Sequence, residues 1–334
     1  MRKYKLISAL AEETAKEVVR NEENWRRYLN TASRLYKYPF KEQLLIYAQR
    51  PEATACASIE IWNEKMHCWV NKGAKGIALI DEDSFSGLKY VFDISDVHKA
   101  RRIGQFPNLW EMREEHMESV ISRLEKTYGD TDREAGFVGR IREIAGRIAE
   151  DCYKELASDM EYLKEGSFLE ELDDFNIEVI YRRLAANSVA FMLISRCGLD
   201  TNEFFDREDF ADIVNFNTPA TINAIGVATS DIAEMALREI SQSIRNVQIA
   251  EKDQNRTFAQ KTQAQYDKGR QQPERSEYNE RNHLQQTGGL SYSRPNITDR
   301  ARNSAWQIRF DAQGLSGAAQ TSDLPQSADI GRAE

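Results

Sequence analysis

Two lysines and two glycines fall within five positions at Lys72-Gly73-Ala74-Lys75-Gly76, between Trp69 and the aliphatic stretch "IALI". Ammonium groups beside a glycine turn suit a phosphate, so the first question is which kind of phosphate site this is. A nucleotide-binding P-loop requires Gly, four residues and then Gly-Lys-Ser/Thr, so that backbone N–H groups wrap the phosphates and a hydroxyl holds magnesium. Here the spacing fails and no hydroxyl follows Gly76. A dinucleotide fingerprint fails too, because the residues after Gly76 alternate like a strand instead of opening a helix. What remains is a tight basic turn between two strands, "CWVN" and "GIALI", in which glycine supplies positive φ. By itself such a turn equally describes a solvated hairpin tip.

Around that turn, aromatic residues alternate with cations. Trp25, Tyr28, Tyr36, Tyr38, Phe40, Tyr47, Trp62 and Trp69 interleave with Arg26, Arg27, Arg34, Lys37, Lys41, Arg50, Lys72 and Lys75. Single-stranded nucleic acid is held in this way, bases stacking on aromatic faces while cations follow the phosphates. Rim packing around a core uses the same residues. Trp25, Leu44, Leu45 and Trp62 stand at helical core spacing, Gln43 fits a capping or bridging role as well as a base contact, and Trp69 faces either the core or a stacking surface.

Catalytic chemistry finds little to work with. None of the four histidines, His67, His98, His116 and His283, has a second histidine one helical turn away, as the His-Glu-x-x-His zinc motif needs. The cysteines Cys56, Cys68, Cys152 and Cys197 lack the paired spacing of a closed zinc site and read as buried small hydrophobes in a reducing, cytoplasmic setting. The acidic run "LEELDD" reads as a solvated helix end. The chain is therefore expected to be non-catalytic and to need no cofactor.

The elements that must position the basic turn follow from periodicity. "AEETAKEVVRNEENWRRYLNTASRLY" reads as one or two helices with Asn24 as a cap, and "PFKEQLLIYAQRP" as a short helix bounded by Pro39 and Pro51. "TACAS" is a short strand, "IEIWNEKMH" a helical turn or two, and "LKYVFDISDV" closes a small sheet by alternation. From 107 to 250 the pattern is helical, with stops near Gly129 and Gly166, a central helix "NIEVIYRRLAANSVAFMLISRCG", and "DIAEMALREISQSIRNV" as the last helix. From 251 onward Gln, Asn, Arg, Ser and Gly dominate, and a disordered tail is expected with one docking patch, "AWQIRFDAQGLS". No run approaches the roughly 18 apolar residues of a membrane span. The basic N-terminus followed at once by acidic residues is an amphipathic helix, not a signal peptide.

Charge divides along the same lines. Residues 1–100 carry 16 Lys/Arg against 14 Asp/Glu, residues 101–250 carry 17 against 29, and the remainder 12 against 11. Within 20–50 the balance is 7 against 3, where the aromatics cluster. A locally basic surface on an acidic chain still suits nucleic acid, because field and contact are local.

The ordered set "NWRRYL … YKYPFKEQLLIYAQRPEATACASIEIWNEKMHCWVNKGAKGIALI" resembles the N-terminal domain of the antirestriction protein ArdC family, also found at the front of large polyvalent proteins of conjugative elements and phages. The resemblance covers about residues 20–97. It implies single-stranded DNA binding, with Lys72, Gly73, Lys75 and Gly76 on the family's hairpin and Tyr36, Tyr38, Lys41 and Gln43 on its loop and helix. Arg26, Arg27, Lys37, Arg50 and Trp69 join them on chemical grounds. It also implies a bacterial mobile element and a role in conjugal transfer, replication or antirestriction, with the chain either complete or the front part of a larger polyvalent protein. ArdC-type proteins continue into a zinc metallopeptidase domain, and "RRLAANSVAFMLISRCGL" distantly resembles the helix after its zinc motif, here a remnant without ligands.

The expected architecture is therefore α+β. Residues 1–103 form a small module with a short antiparallel sheet, 104–250 an acidic all-α domain, and 251–334 a mostly disordered tail. The expected partner is single-stranded DNA. The alternative is an interaction protein whose acidic helical domain docks a basic protein partner or mimics DNA.

Overall fold

The computed structural model describes residues 2–101 and 103–270. The fold is α+β, with a few short antiparallel strands near the N-terminus and a helical remainder. Helices α1 (Arg2–Val18), α2 (Glu22–Arg34) and α3 (Phe40–Gln49) come first. Strands β1 (Cys56–Ala57), β2 (Cys68–Val70), β3 (Ile77–Ile80), β4 (Leu88–Asp93) and β5 (Val97–Lys99) follow, with one π-helical turn, Ile61–Lys65, between β1 and β2. Four helices complete it: α4 (Glu114–Tyr128), α5 (Gly136–Leu163), α6 (Asp174–Arg196) and α7 (Pro219–Arg270). No helix among the described residues is long and apolar enough to cross a membrane.

The α1–α2 junction is set by two asparagines. Asn21 caps α2, its side chain accepting the Asn24 N–H at 2.8 Å. Asn24, expected as the cap, instead donates its amide to the Glu17 carbonyl at 2.9 Å and to the Glu17 carboxylate at 2.8 Å, tying the end of α1 to the start of α2. At α3, Pro39 takes the cap position, where its missing N–H costs nothing.

The strands form two sheets where one was expected. β1-β4-β3 is antiparallel, Ile77 facing Val91 and Ile80 facing Leu88, and β2 pairs separately with β5. Burial explains the division. Ile77, Ala78 and Leu79 are all buried, so β3 needs cover on both faces, and it packs with Leu35, Leu45, Ile46 and Val91. β2 has a single buried position, Cys68, which packs with Trp62 and Val97 and leaves Trp69 in solvent.

Expected core residues Trp25, Leu44, Leu45 and Trp62 are all buried. Two small apolar clusters, around β3 and around Trp62, lie wholly before the boundary expected at 103/104, but the largest cluster runs across it. Trp25, Tyr28, Phe40 and Leu44 belong to the same apolar cluster as Val120, Ile144, Val189 and Leu237 from the four later helices. The seam is polar as well as apolar: Trp25 Nε1 donates to Ser188 Oγ at 2.8 Å, and Trp110 Nε1 donates to the Tyr36 hydroxyl at 3.3 Å. Helix α6 is the centre of this body, with every residue from Ser188 to Ile194 buried. Helix α4 stops at Gly129 (φ +91°), as expected. Helix α7 runs 20 residues past the expected end at 250. From 252 to 263 its side chains are almost all exposed, so apolar periodicity ends there while helix-forming Lys, Gln, Arg and Ala continue. The rest of the expected tail, with "AWQIRFDAQGLS", lies outside the described residues.

Candidate nucleic-acid interface

The ribbon of β2 and β5 is built by alternation. With Cys68 and Val97 inward, Trp69 and His98 stand directly opposite one another on the outer face. Trp69 is 48% exposed, a large apolar area for a soluble surface. His98 Nδ1 donates to Asn71 Oδ1 at 2.7 Å, which fixes the ring beside the start of the basic loop. The ribbon's far side is anchored by Asp93. One of its oxygens accepts the N–H groups of Thr54 (2.8 Å) and Ala55 (3.0 Å), and the other accepts Ser95 N–H (3.0 Å) and Ser95 Oγ (2.6 Å). Burial works against the ionised carboxylate, but the hydrogen bonds from Ser95, Thr54 and Ala55 outweigh it and hold its pKa below the ordinary value. Asp93 thereby fixes the short turn Ile94–Asp96 that aims β5 at β2.

The segment "NKGAKG" is not a hairpin. It leaves β2 in one sheet and enters β3 in the other. Asn71 N–H donates to the Asp96 carbonyl (2.8 Å) and Ala74 N–H to the Asn71 carbonyl (3.0 Å), a closed turn that requires φ +88° at Gly73. Lys72 and Lys75 are exposed on it. Gly76 lies against Phe92, whose ring would be 3.0 Å from an added Cβ, so the chain enters β3 flush with β4.

The thirteen residues expected to touch DNA are not all brought together. Trp69, Lys72, Gly73, Lys75 and Gly76 form one continuous surface segment, and Arg50 is near it, its guanidinium bound to Asp96 and 3.7 Å from Glu52. Lys41 is exposed on α3. Tyr36 is 4% exposed, and its hydroxyl accepts Trp110 Nε1–H at 3.3 Å, so no base can stack on it. Gln43 is 1% exposed; its amide donates to the Tyr38 carbonyl (2.7 Å) and its oxygen accepts the Tyr28 hydroxyl (2.7 Å), so it braces the α2–α3 corner and meets no base. Tyr38 donates to the Cys56 carbonyl at 2.7 Å, and burial raises its pKa well above the ordinary value. Lys37 is half-buried over the Tyr36 ring, and burial together with Arg245 and Arg238 lowers its pKa. Arg27 pairs with Glu23, and Arg26 donates to Asn202 Oδ1 at 2.8 Å. These two arginines line a separate cleft of about 720 Å³ whose wall also carries Glu22, Glu23 and Asp200.

One residue missing from the expected set completes the ribbon's outer face, His98; Lys99, paired with Cys68, belongs to the opposite face, together with Phe106. Lys99 Nζ stands 4.6 Å from the Phe106 ring centre. The chain carries Phe106 there because Ala100 N–H donates to the His67 carbonyl and Gln105 N–H to the Met66 carbonyl, both at 3.0 Å. Gly104 permits the approach, since a Cβ would lie 2.6 Å from the His67 oxygen. His98 opens the basic-aromatic string "HKARRIGQF", but only strand pairing sets it beside Trp69.

The exposed ring and cations of this surface suit base stacking and phosphate neutralisation. Burial raises the pKa of all four cysteines, that of Cys197 to about 12, so none is an activated thiolate. Among the described residues one group could hold a metal ion: ligand atoms of Glu115, His116 and Glu251 lie within 4.8 Å of one another. Two of these are already engaged. His116 Nδ1 accepts the Arg113 N–H at 3.1 Å, which puts the ring proton on Nε2, and the Arg113 guanidinium sits 3.0 Å from Glu115. Comparisons of this chain with protein-family models, curated proteins and solved structures found no match.

Proposed function

We propose that the protein binds single-stranded DNA on the β2–β5 ribbon without catalysing a reaction on it. The observation that carries this reading is the pairing of a half-exposed Trp69 with His98 on an outer face that runs directly into two exposed lysines. Bases stack on Trp69, while Lys72 and Lys75 neutralise phosphates. The resemblance of residues 20–97 to the ArdC N-terminal domain supports the same ligand. It also supports a bacterial mobile-element setting, in which the protein holds a displaced strand during conjugal transfer or replication, or acts in antirestriction.

The test is fluorescence anisotropy of the full chain with a labelled single strand and its duplex across a salt series. The single strand binds more tightly, and log K falls with log salt at about −0.7 per phosphate neutralised. Lys72→Glu/Lys75→Glu flattens that slope by about 1.4, and Trp69→Ala costs about 1–3 kcal/mol at fixed salt. All three side chains are exposed, so these variants fold. Equal affinity of wild type and variants, or no binding at low salt, would sink the proposal.

A further inference from the structure

The α5–α6 hairpin ends in a surface unlike the rest of the acidic body. Between Glu155 and Asp174 there are eight exposed carboxylates and a single cation, Lys164, which is itself held by Asp174 at 3.1 Å. A solvated acidic face would need nothing else. Yet Tyr162 is 77% exposed, Phe175 73% and Val179 44%, with Phe175 and Val179 one helical turn apart on α6. Large apolar side chains scattered singly are ordinary, but here Tyr162 and Phe175 flank Lys164 and Asp174, whose ion pair at 3.1 Å joins the two helix ends, and exposed rings so placed mark a contact surface.

The corner is rigid by construction. Arg182 on α6 reaches Glu150 on α5 at 2.6 Å, and the Lys164–Asp174 pair ties the two helices again near their connection. Asp173 caps α6 by accepting Asn176 N–H at 2.8 Å, and Gly166 N–H donates to Glu170 at 2.7 Å within the connecting turn. Beneath them Tyr153, Met160, Leu169 and Ile177 are buried. A surface held this firmly loses little freedom when a partner docks.

We infer that this hairpin tip is a docking surface for a cationic amphipathic protein segment, one that presents Lys or Arg alongside aliphatic side chains. Charge complementarity selects the partner. Carboxylates in this number repel nucleic acid and anionic lipid headgroups, whereas they steer a basic segment inward. The exposed rings then take up its apolar residues, which a pure charge mimic of DNA would have no use for. The surface uses no residue of the β2–β5 ribbon, so it operates independently of DNA binding.

The experiment titrates the full chain into a labelled amphipathic helical peptide with one Lys face and one Leu face, and into the same peptide with Ser in place of Leu. The Lys/Leu peptide binds about tenfold more tightly than its Lys/Ser counterpart. Tyr162→Ser/Phe175→Ser removes that preference, and Asp159→Asn/Glu161→Gln/Glu165→Gln weakens both peptides. Glu134→Gln/Glu203→Gln/Glu208→Gln, an equal loss of exposed charge elsewhere on the acidic helices, leaves both unchanged. Trp69→Ala also leaves both unchanged, which separates a failure here from a failure of the DNA reading. The inference is overturned if neither peptide binds, if the aromatic variant keeps the Leu preference, or if the two charge triples weaken binding equally.

Discussion

Replacing Gly226 with alanine is expected to destabilise the protein although it puts a better helix former into α7. In an unhindered helix interior the change gains about 1 kcal/mol. At Gly226 the new Cβ would lie 2.2, 2.4 and 2.5 Å from three atoms of the Phe40 ring, far inside a contact distance of about 3.5–4 Å. Phe40 is 3% exposed and packs edge-on against Tyr28 with ring centres 5.9 Å apart, so it has nowhere free to retreat. Overpacking this close falls at the upper end of the usual range, about 2–3 kcal/mol, which exceeds the propensity gain and leaves a net loss of about 1–2 kcal/mol. For a folded body of this size that lowers Tm by about 2–6 °C. Gly146 on α5 is the internal control, because a Cβ there meets nothing within 4 Å. Gly146→Ala should raise Tm by about 2 °C. Scanning calorimetry of the two variants side by side gives shifts of opposite sign. If Gly226→Ala matches the gain of Gly146→Ala, α7 does not press on Phe40, and the shared cluster joining the front helices to the later ones is wrong.

Other expectations concern the polar contacts. Hydrogen bonds from the Arg140 guanidinium and the Thr131 hydroxyl lower the pKa of Glu125 to about 2. Its contribution is therefore complete above the ordinary carboxylate pKa and is lost as pH falls from there toward 2. Glu125→Gln should cost about 1–2 kcal/mol at neutral pH and almost nothing near pH 2, and urea unfolding across that range that finds a constant difference refutes the assignment. Ser188→Ala strands the buried Trp25 indole N–H and should cost about 1–3 kcal/mol; an unchanged urea midpoint would mean that this α2–α6 bond is absent.

Much of the helical plan is legible in the sequence, because an apolar stripe at 3.6-residue spacing reports its own burial. The Trp25 face of α2, the short α3 between two prolines and the stops at Gly129 and Gly166 all follow from local pattern. What the pattern cannot carry is pairing. "CWVN" and "GIALI" flank a glycine turn and read as a hairpin, yet β5, more than twenty residues beyond the turn, takes β2, and β4 takes β3. The run of three buried residues in β3 against one in β2 hints at different surroundings without naming the partners. Side-chain fate is equally non-local. Tyr36 looks like a stacking residue until Trp110, 74 positions away, covers its hydroxyl, and Gln43 looks like a base reader until Tyr28 takes its oxygen. His98 was hidden for the converse reason: only the β2–β5 register sets it beside Trp69.

Helix α2 also bears on how this chain can be cut and rejoined. Its aromatic face serves the later helices, while its end, through Leu35, serves the sheet. A break after residue 103 would strip the cover from Trp25, Tyr28 and Tyr36 at once, so the front hundred residues are not a transferable cassette. Recombination that grafts them onto a different neighbour must supply a replacement for the Ser188–Ile194 stretch of α6, or the grafted module will present a sticky aromatic wall. The unit of exchange is the whole α-helical body with its ribbon, and any shuffling of this architecture should be found at seams beyond it.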